Sequence, residues 1–119
     1  MSRIRLTLVA ATAAVTLVPA VPVAQAGAEA HKGQVVTVTM TEFRFALSTA
    51  KVHPGKVAFR LANKGKLAHD FRIAGATSAL VKAGKTATLV VTLKKGKYPY
   101  TCTVKGHAAA GMKGVLAVA

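Results

Sequence analysis

From Val35 onward the chain alternates apolar and polar residues with the two-residue period of half-buried strands. Val36, Val38 and Met40 oppose Thr37, Thr39 and Thr41, Phe43, Phe45 and Leu47 share one face, and Val57, Phe59 and Leu61 share another. Over His69 to Ile73, Phe71 and Ile73 alternate with Asp70 and Arg72, and over Thr86 to Leu93, Ala87, Leu89, Val91 and Leu93 oppose Thr88, Val90 and Thr92. Tyr98 to Val104 and Gly114 to Val118 complete the set. Between these segments, Val52-His53-Pro54-Gly55-Lys56, Asn63-Lys64-Gly65-Lys66 and Lys94-Lys95-Gly96-Lys97 carry the residues that turns demand. Only Thr77 to Val81 offers a weak helical pattern. Seven short strands at this spacing predict an all-β fold, an antiparallel sandwich of two sheets.

The first 26 residues follow a different pattern. Arg3 and Arg5 precede an apolar stretch over Leu6 to Val18, Pro19 and Pro22 follow, and Ala24-Gln25-Ala26 closes the segment. A basic start, an apolar middle and a small-residue end predict a secretory signal peptide over 1–26, cleaved after Ala26. The apolar run is shorter than the roughly 20 residues of a bilayer-spanning helix. Residues 27–34 read as a flexible arm, leaving 35–119 as one domain. Export to a periplasm, the cell surface or the medium is therefore expected.

Charge narrows the partners. The chain carries 17 Lys and Arg against Glu29, Glu42 and Asp70, and loss of Arg3 and Arg5 with the leader would leave a balance of +12. Such a charge speeds encounters with anionic partners and opposes self-association, so a monomer is expected. Lysines 82, 85, 94, 95, 97 and 105 read as a solvated surface. Nucleic acid is not an expected partner, because the domain is exported and lacks aromatics interleaved with its basic residues. Acidic redox proteins, a cytochrome or an oxidase, fit the charge, as do anionic membrane or cell-wall surfaces.

A single cysteine cannot form an internal disulfide, so Cys102 is a free thiol, an intermolecular link or a metal ligand. Its surroundings favour the last. Tyr98, Tyr100 and Cys102 share one strand face, and the chain then loops through Gly106, His107 and Gly111 to Met112 before re-entering a strand. Cys, His and Met at five-residue steps on one loop can converge on one point, and His69 follows a loop of its own. Two imidazoles, a thiolate and a thioether are the donor set of a trigonal His₂Cys copper site with a weak axial Met. Zinc would ordinarily take a stronger fourth ligand. Met40, by contrast, reads as core, and His31 and His53 read as surface residues of the arm and a turn.

The chain resembles the cupredoxins, the small blue type 1 copper proteins. The resemblance rests on Asn63-x-Gly65-x₃-His69-x-Phe71 and on Gly96-x-Tyr98-x-Tyr100-x-Cys102-x₄-His107-x₄-Met112. Its Cys–His spacing is the longer one of rusticyanin and auracyanin rather than that of plastocyanin. It covers nearly all of the chain beyond the leader and implies a cupredoxin-like Greek-key β-sandwich of seven or eight strands with copper near one end. It further implies one copper cycling between Cu(II) and Cu(I), held by His69, Cys102, His107 and Met112. Asp70 departs from the family, many members of which have Asn there to tie the ligand loops together. The implied function is a shuttle of single electrons between redox partners. Extracytoplasmic copper binding and delivery through the same ligands is the alternative. No enzyme activity is expected, because related multicopper enzymes need further histidine pairs and this chain has four His in all.

Overall fold

The longest alternating runs become the longest strands. In this computed structural model the described residues are 33–119 together with Ala11, Ala13 and Ala14. The rest of the expected leader over 1–26 and residues 27–32 of the expected arm over 27–34, His31 among them, lie outside the described residues, and Gln34, expected in the arm, opens the first strand instead. The chain forms β1 (Gln34–Thr41), β2 (Arg44–Leu47), β3 (Lys51–Val52), β4 (Gly55–Asn63), β5 (Arg72–Ile73), β6 (Ala76–Thr77), β7 (Thr86–Leu93), β8 (Gly96–Thr101) and β9 (Lys113–Val118). One sheet has the order β2-β1-β4-β7, the other β3-β9-β8-β5-β6. The β1–β4 and β3–β9 pairs are parallel, and the remaining pairs are antiparallel. Among the described residues no helix is long and apolar enough to cross a membrane.

Register puts the apolar face of each strand inward. Val36, Val38 and Met40 of β1, Val57, Phe59 and Leu61 of β4, and Leu116 and Val118 of β9 are all buried. Met40 is the core residue its pattern predicts. Phe71 joins the two sheets. Its ring centroid lies 5.3 Å from Phe45, 5.1 Å from Phe59 and 5.4 Å from Tyr100, separations at which aromatic pairs attract. Tyr100 also lies over its cross-strand partner Gly114, where a Cβ would run into the ring.

Nine strands replace the expected seven or eight, because β3, β5 and β6 are two-residue fragments of the edges. The run from His69 to Ile73 is a strand only at Arg72–Ile73. Side-chain and single-bridge contacts hold the rest: Phe71 N–H donates to Ser78 Oγ, and His69 exchanges two backbone bonds with Val81. The weak helical pattern over Thr77 to Val81 forms no helix, since those residues are the other side of this pairing. Phe43 leaves β2 for the β1–β2 turn and takes φ = 52°. A left-handed backbone costs a non-glycine residue about 1–2 kcal/mol, so surrounding contacts must offset it.

Candidate metal centre

At one end of the sandwich three of the expected ligands meet. His69, Cys102 and His107 are all buried, and their donor atoms lie within 4.8 Å of one another. His69 Nδ1 is 3.1 Å from His107 Nδ1, and Cys102 Sγ is 3.6 Å from the same nitrogen. Donors held about 2.0–2.3 Å from one ion in a trigonal plane stand roughly 3.5–3.8 Å apart. The thiol–imidazole spacing meets that value, and the imidazole pair would open by a few tenths of an ångström. Two nitrogens and a sulfur at these separations fit copper or zinc.

Each ligand is delivered by a separate local device. Asn63, at the end of β4, is buried with every polar atom satisfied. Its Nδ2 donates to Leu67 O and Val81 O at 2.8 Å each, and its Oδ1 accepts Gly65 N–H at 2.9 Å. That amide shapes the loop into His69 and ties it to Val81, the bridge partner of His69. Cys102 follows the last residue of β8 and continues its inward face, as the two-residue period predicts. The loop after it is a run of turns. His107 N–H donates to Val104 O, Met112 N–H to His107 O, and Cys102 N–H to Met112 O, at 3.0–3.1 Å. Backbone bonds therefore fasten Met112 to both Cys102 and His107, and its side chain is fully buried.

Asp70 does the loop-tying that its position suggests. Its Oδ1 accepts Thr103 N–H at 2.6 Å, and its Oδ2 accepts the Thr103 hydroxyl. Both roles are acceptor roles, which a carboxylate fills without a donor. Burial, the largest cause, holds the Cys102 thiol above its ordinary pKa, and the charge of Asp70 adds to that. Metal uptake must therefore displace a proton from the thiol.

The β1–β2 hairpin tip adds contacts that no motif announces. Glu42 Oε1 lies 3.3 Å from His69 Nε2 and accepts the N–H groups of Lys66 and Leu67 at 2.6 and 2.7 Å. The Leu67 amide above all holds its carboxyl at a pKa of about 2, against an opposing effect of burial. Phe43 meets the His107 ring edge-on, with centroids 5.1 Å apart and planes at 74°. Neither residue stands near a ligand in sequence. The one available signal is rarity, since Glu42 is one of three acids in a strongly basic chain.

The remaining histidine of the described part, His53, sits in the β3–β4 turn, where the Gln34 amide pairs with its backbone. Lysines 82, 85, 94, 95, 97 and 105 are all exposed.

Comparisons with known proteins agree with this geometry. A family model described as the cupredoxin-like domain matches residues 7–118. Among solved structures, dithionite-reduced auracyanin from the photosynthetic bacterium Roseiflexus castenholzii aligns with a TM-score of 0.62 at 21% identity, over 72% of this chain and 97% of that one. Auracyanin B gives 0.61 at 21% identity, over 73% and 89%. Auracyanin A, a blue copper protein from the green thermophilic photosynthetic bacterium Chloroflexus aurantiacus, gives 0.58 at 22% identity, over 71% and 99%. At such identities the likeness is one of fold. No curated protein matches the sequence.

Proposed function

The chain belongs to the cupredoxin-like family, and from that premise we propose that it is an exported type 1 copper protein that carries single electrons. His69, Cys102 and His107 are the strong ligands in this reading and Met112 the weak axial one. Copper bound there supplies one-electron chemistry between Cu(II) and Cu(I). The protein's part is to hold two imidazoles and a thiolate in an arrangement that suits both states, so that little rearranges on electron transfer. The observation that carries the reading is the convergence of both Nδ1 atoms and the thiol.

Burial supports a carrier over a delivery protein. His69 and Met112 are 0% exposed, Cys102 1% and His107 8%, a closed donor set that exchanges metal slowly. The most exposed ligand, His107, is the natural port for electrons. Ala108, Ala109 and Ala110 follow it on the same loop, and Phe43 lies against its ring. A small apolar surface of this kind suits brief docking, and the surrounding lysines would steer an acidic redox partner. An enzyme would want an open metal position, which this buried set does not offer.

Purified protein titrated with Cu(II) tests the proposal. An intense visible thiolate-to-copper band, lost in Cys102→Ser, together with a reversible one-electron couple, is the expected result. A colourless protein that prefers zinc would overturn it, and rapid copper loss to a chelator would favour delivery.

A further inference from the structure

The hairpin tip reaches behind the centre from a part of the chain that supplies no ligand. Glu42 Oε1 faces His69 Nε2, the ring nitrogen that points away from Cys102 and His107. A carboxylate only accepts hydrogen bonds, and a neutral imidazole carries one ring proton. The contact is therefore satisfied when that proton sits on Nε2, which leaves the Nδ1 lone pair aimed at His107 Nδ1 and the thiol.

The carboxylate is itself held in place. Lys66 and Leu67 donate their N–H groups to the same oxygen. A Cβ at Gly65, whose N–H is fixed by Asn63, would displace the Glu42 carboxylate from this position. Phe43 follows in its left-handed conformation with its ring against His107, so adjacent residues of one turn bear on both imidazoles.

We propose that Glu42 is a positioning and tuning residue of the metal centre, fixing the Nε2–H tautomer and ring orientation of His69 and setting a negative charge behind that ligand. The inference rests on the reading of His69, Cys102 and His107 as copper ligands. Carboxylates bonded to the far nitrogen of a metal-ligating histidine fix its orientation and raise its basicity. A fixed negative charge also favours the more positive metal state, so Glu42 holds the potential down.

Two variants test this. Glu42→Gln keeps an acceptor oxygen and removes the charge, whereas Glu42→Ala removes both. In nitrogen-15 NMR of the metal-free protein, His69 should be the Nε2–H tautomer in the wild type and in Glu42→Gln, and a mixture in Glu42→Ala. With copper bound, Glu42→Gln should raise the Cu(I)/Cu(II) ratio at a fixed applied potential on the order of tenfold, which corresponds to about 59 mV for one electron. A wild-type His69 protonated on Nδ1 would overturn the positioning role. A Glu42→Gln potential within twofold of wild type would overturn the tuning role. Should Glu42→Ala fail to fold, Glu42→Gln carries the test. A wild type without the thiolate–copper band would instead sink the copper reading itself, and the tautomer would still report whether Glu42 orients His69.

Discussion

Three buried polar side chains, Asn63, His69 and Asp70, bring their own partners into the apolar end of the sandwich. Asn63→Ala would remove the side-chain bonds to the carbonyls of Leu67 and Val81 and to the Gly65 amide, Val81 O keeping only the His69 N–H. Each such bond contributes about 0.5–1.5 kcal/mol, so the loss of three predicts roughly 3 kcal/mol in urea unfolding, with copper binding weakened as His69 loses its loop. Asp70→Asn should behave differently. The bond to Thr103 N–H can survive through the amide oxygen, while the charge beside Cys102 is gone, so the fold should hold and the potential should rise. Cys102 sets the pH dependence. Burial raises its folded pKa above an unfolded value near about 8.5, so the neutral thiol supports the metal-free fold below that value and the support is lost as pH rises through the folded pKa. Copper needs the thiolate, so the sign reverses for binding. Competition against a chelator should show affinity rising about tenfold from pH 7 to pH 8, one proton released per ion.

At the scale of elements, strands with clean alternation were legible and the irregular segments were not. β7 has the bounds its pattern predicts, Thr86 to Leu93, because Ala87, Leu89, Val91 and Leu93 face inward while the threonines and Val90 face out. The segment from His69 alternates equally well, yet its bonds go to a serine hydroxyl and one isolated bridge, partners that lie outside the run itself. The ligands were readable because three of them share one loop. Glu42 was not, because it meets His69 only through the hairpin's placement in three dimensions, 27 residues away in sequence. Phe43 illustrates the same limit: its period assigns it to the face of Phe45 and Leu47, but the turn swings it out against His107. Phe71 is the element-scale point of failure, joining aromatic rings from β2, β4 and β8. Phe71→Ala should cost about 3–5 kcal/mol in chemical unfolding, and its effect should reach the centre through the neighbouring Asp70 and His69.

For the molecule as a whole, charge and the apolar end act at different ranges. In the proposed reading a chain at +14, or +12 without its leader, would draw an acidic partner from beyond contact, and salt would screen that attraction over about 10 Å at 0.1 M. The alanines beside His107 would then govern the final approach. Stopped-flow exchange with an acidic redox protein should slow as ionic strength rises, and Ala109→Glu should slow it further by roughly tenfold at low salt. Rates indifferent to both would remove His107 as the port. With a basic partner the salt dependence should invert.

The backbone bond from Cys102 N–H to Met112 O closes the ligand loop at its base. Within that closure, Thr103 is tied to Asp70 and His107 packs on Phe43. In the proposed reading the centre is a cassette: Cys102, His107 and Met112 would travel together on one segment, with only His69 on the chassis. Transplanting residues 102–112 into another scaffold of this architecture should carry the axial ligand and the port along with it, so new redox behaviour can arise by exchange of one short stretch.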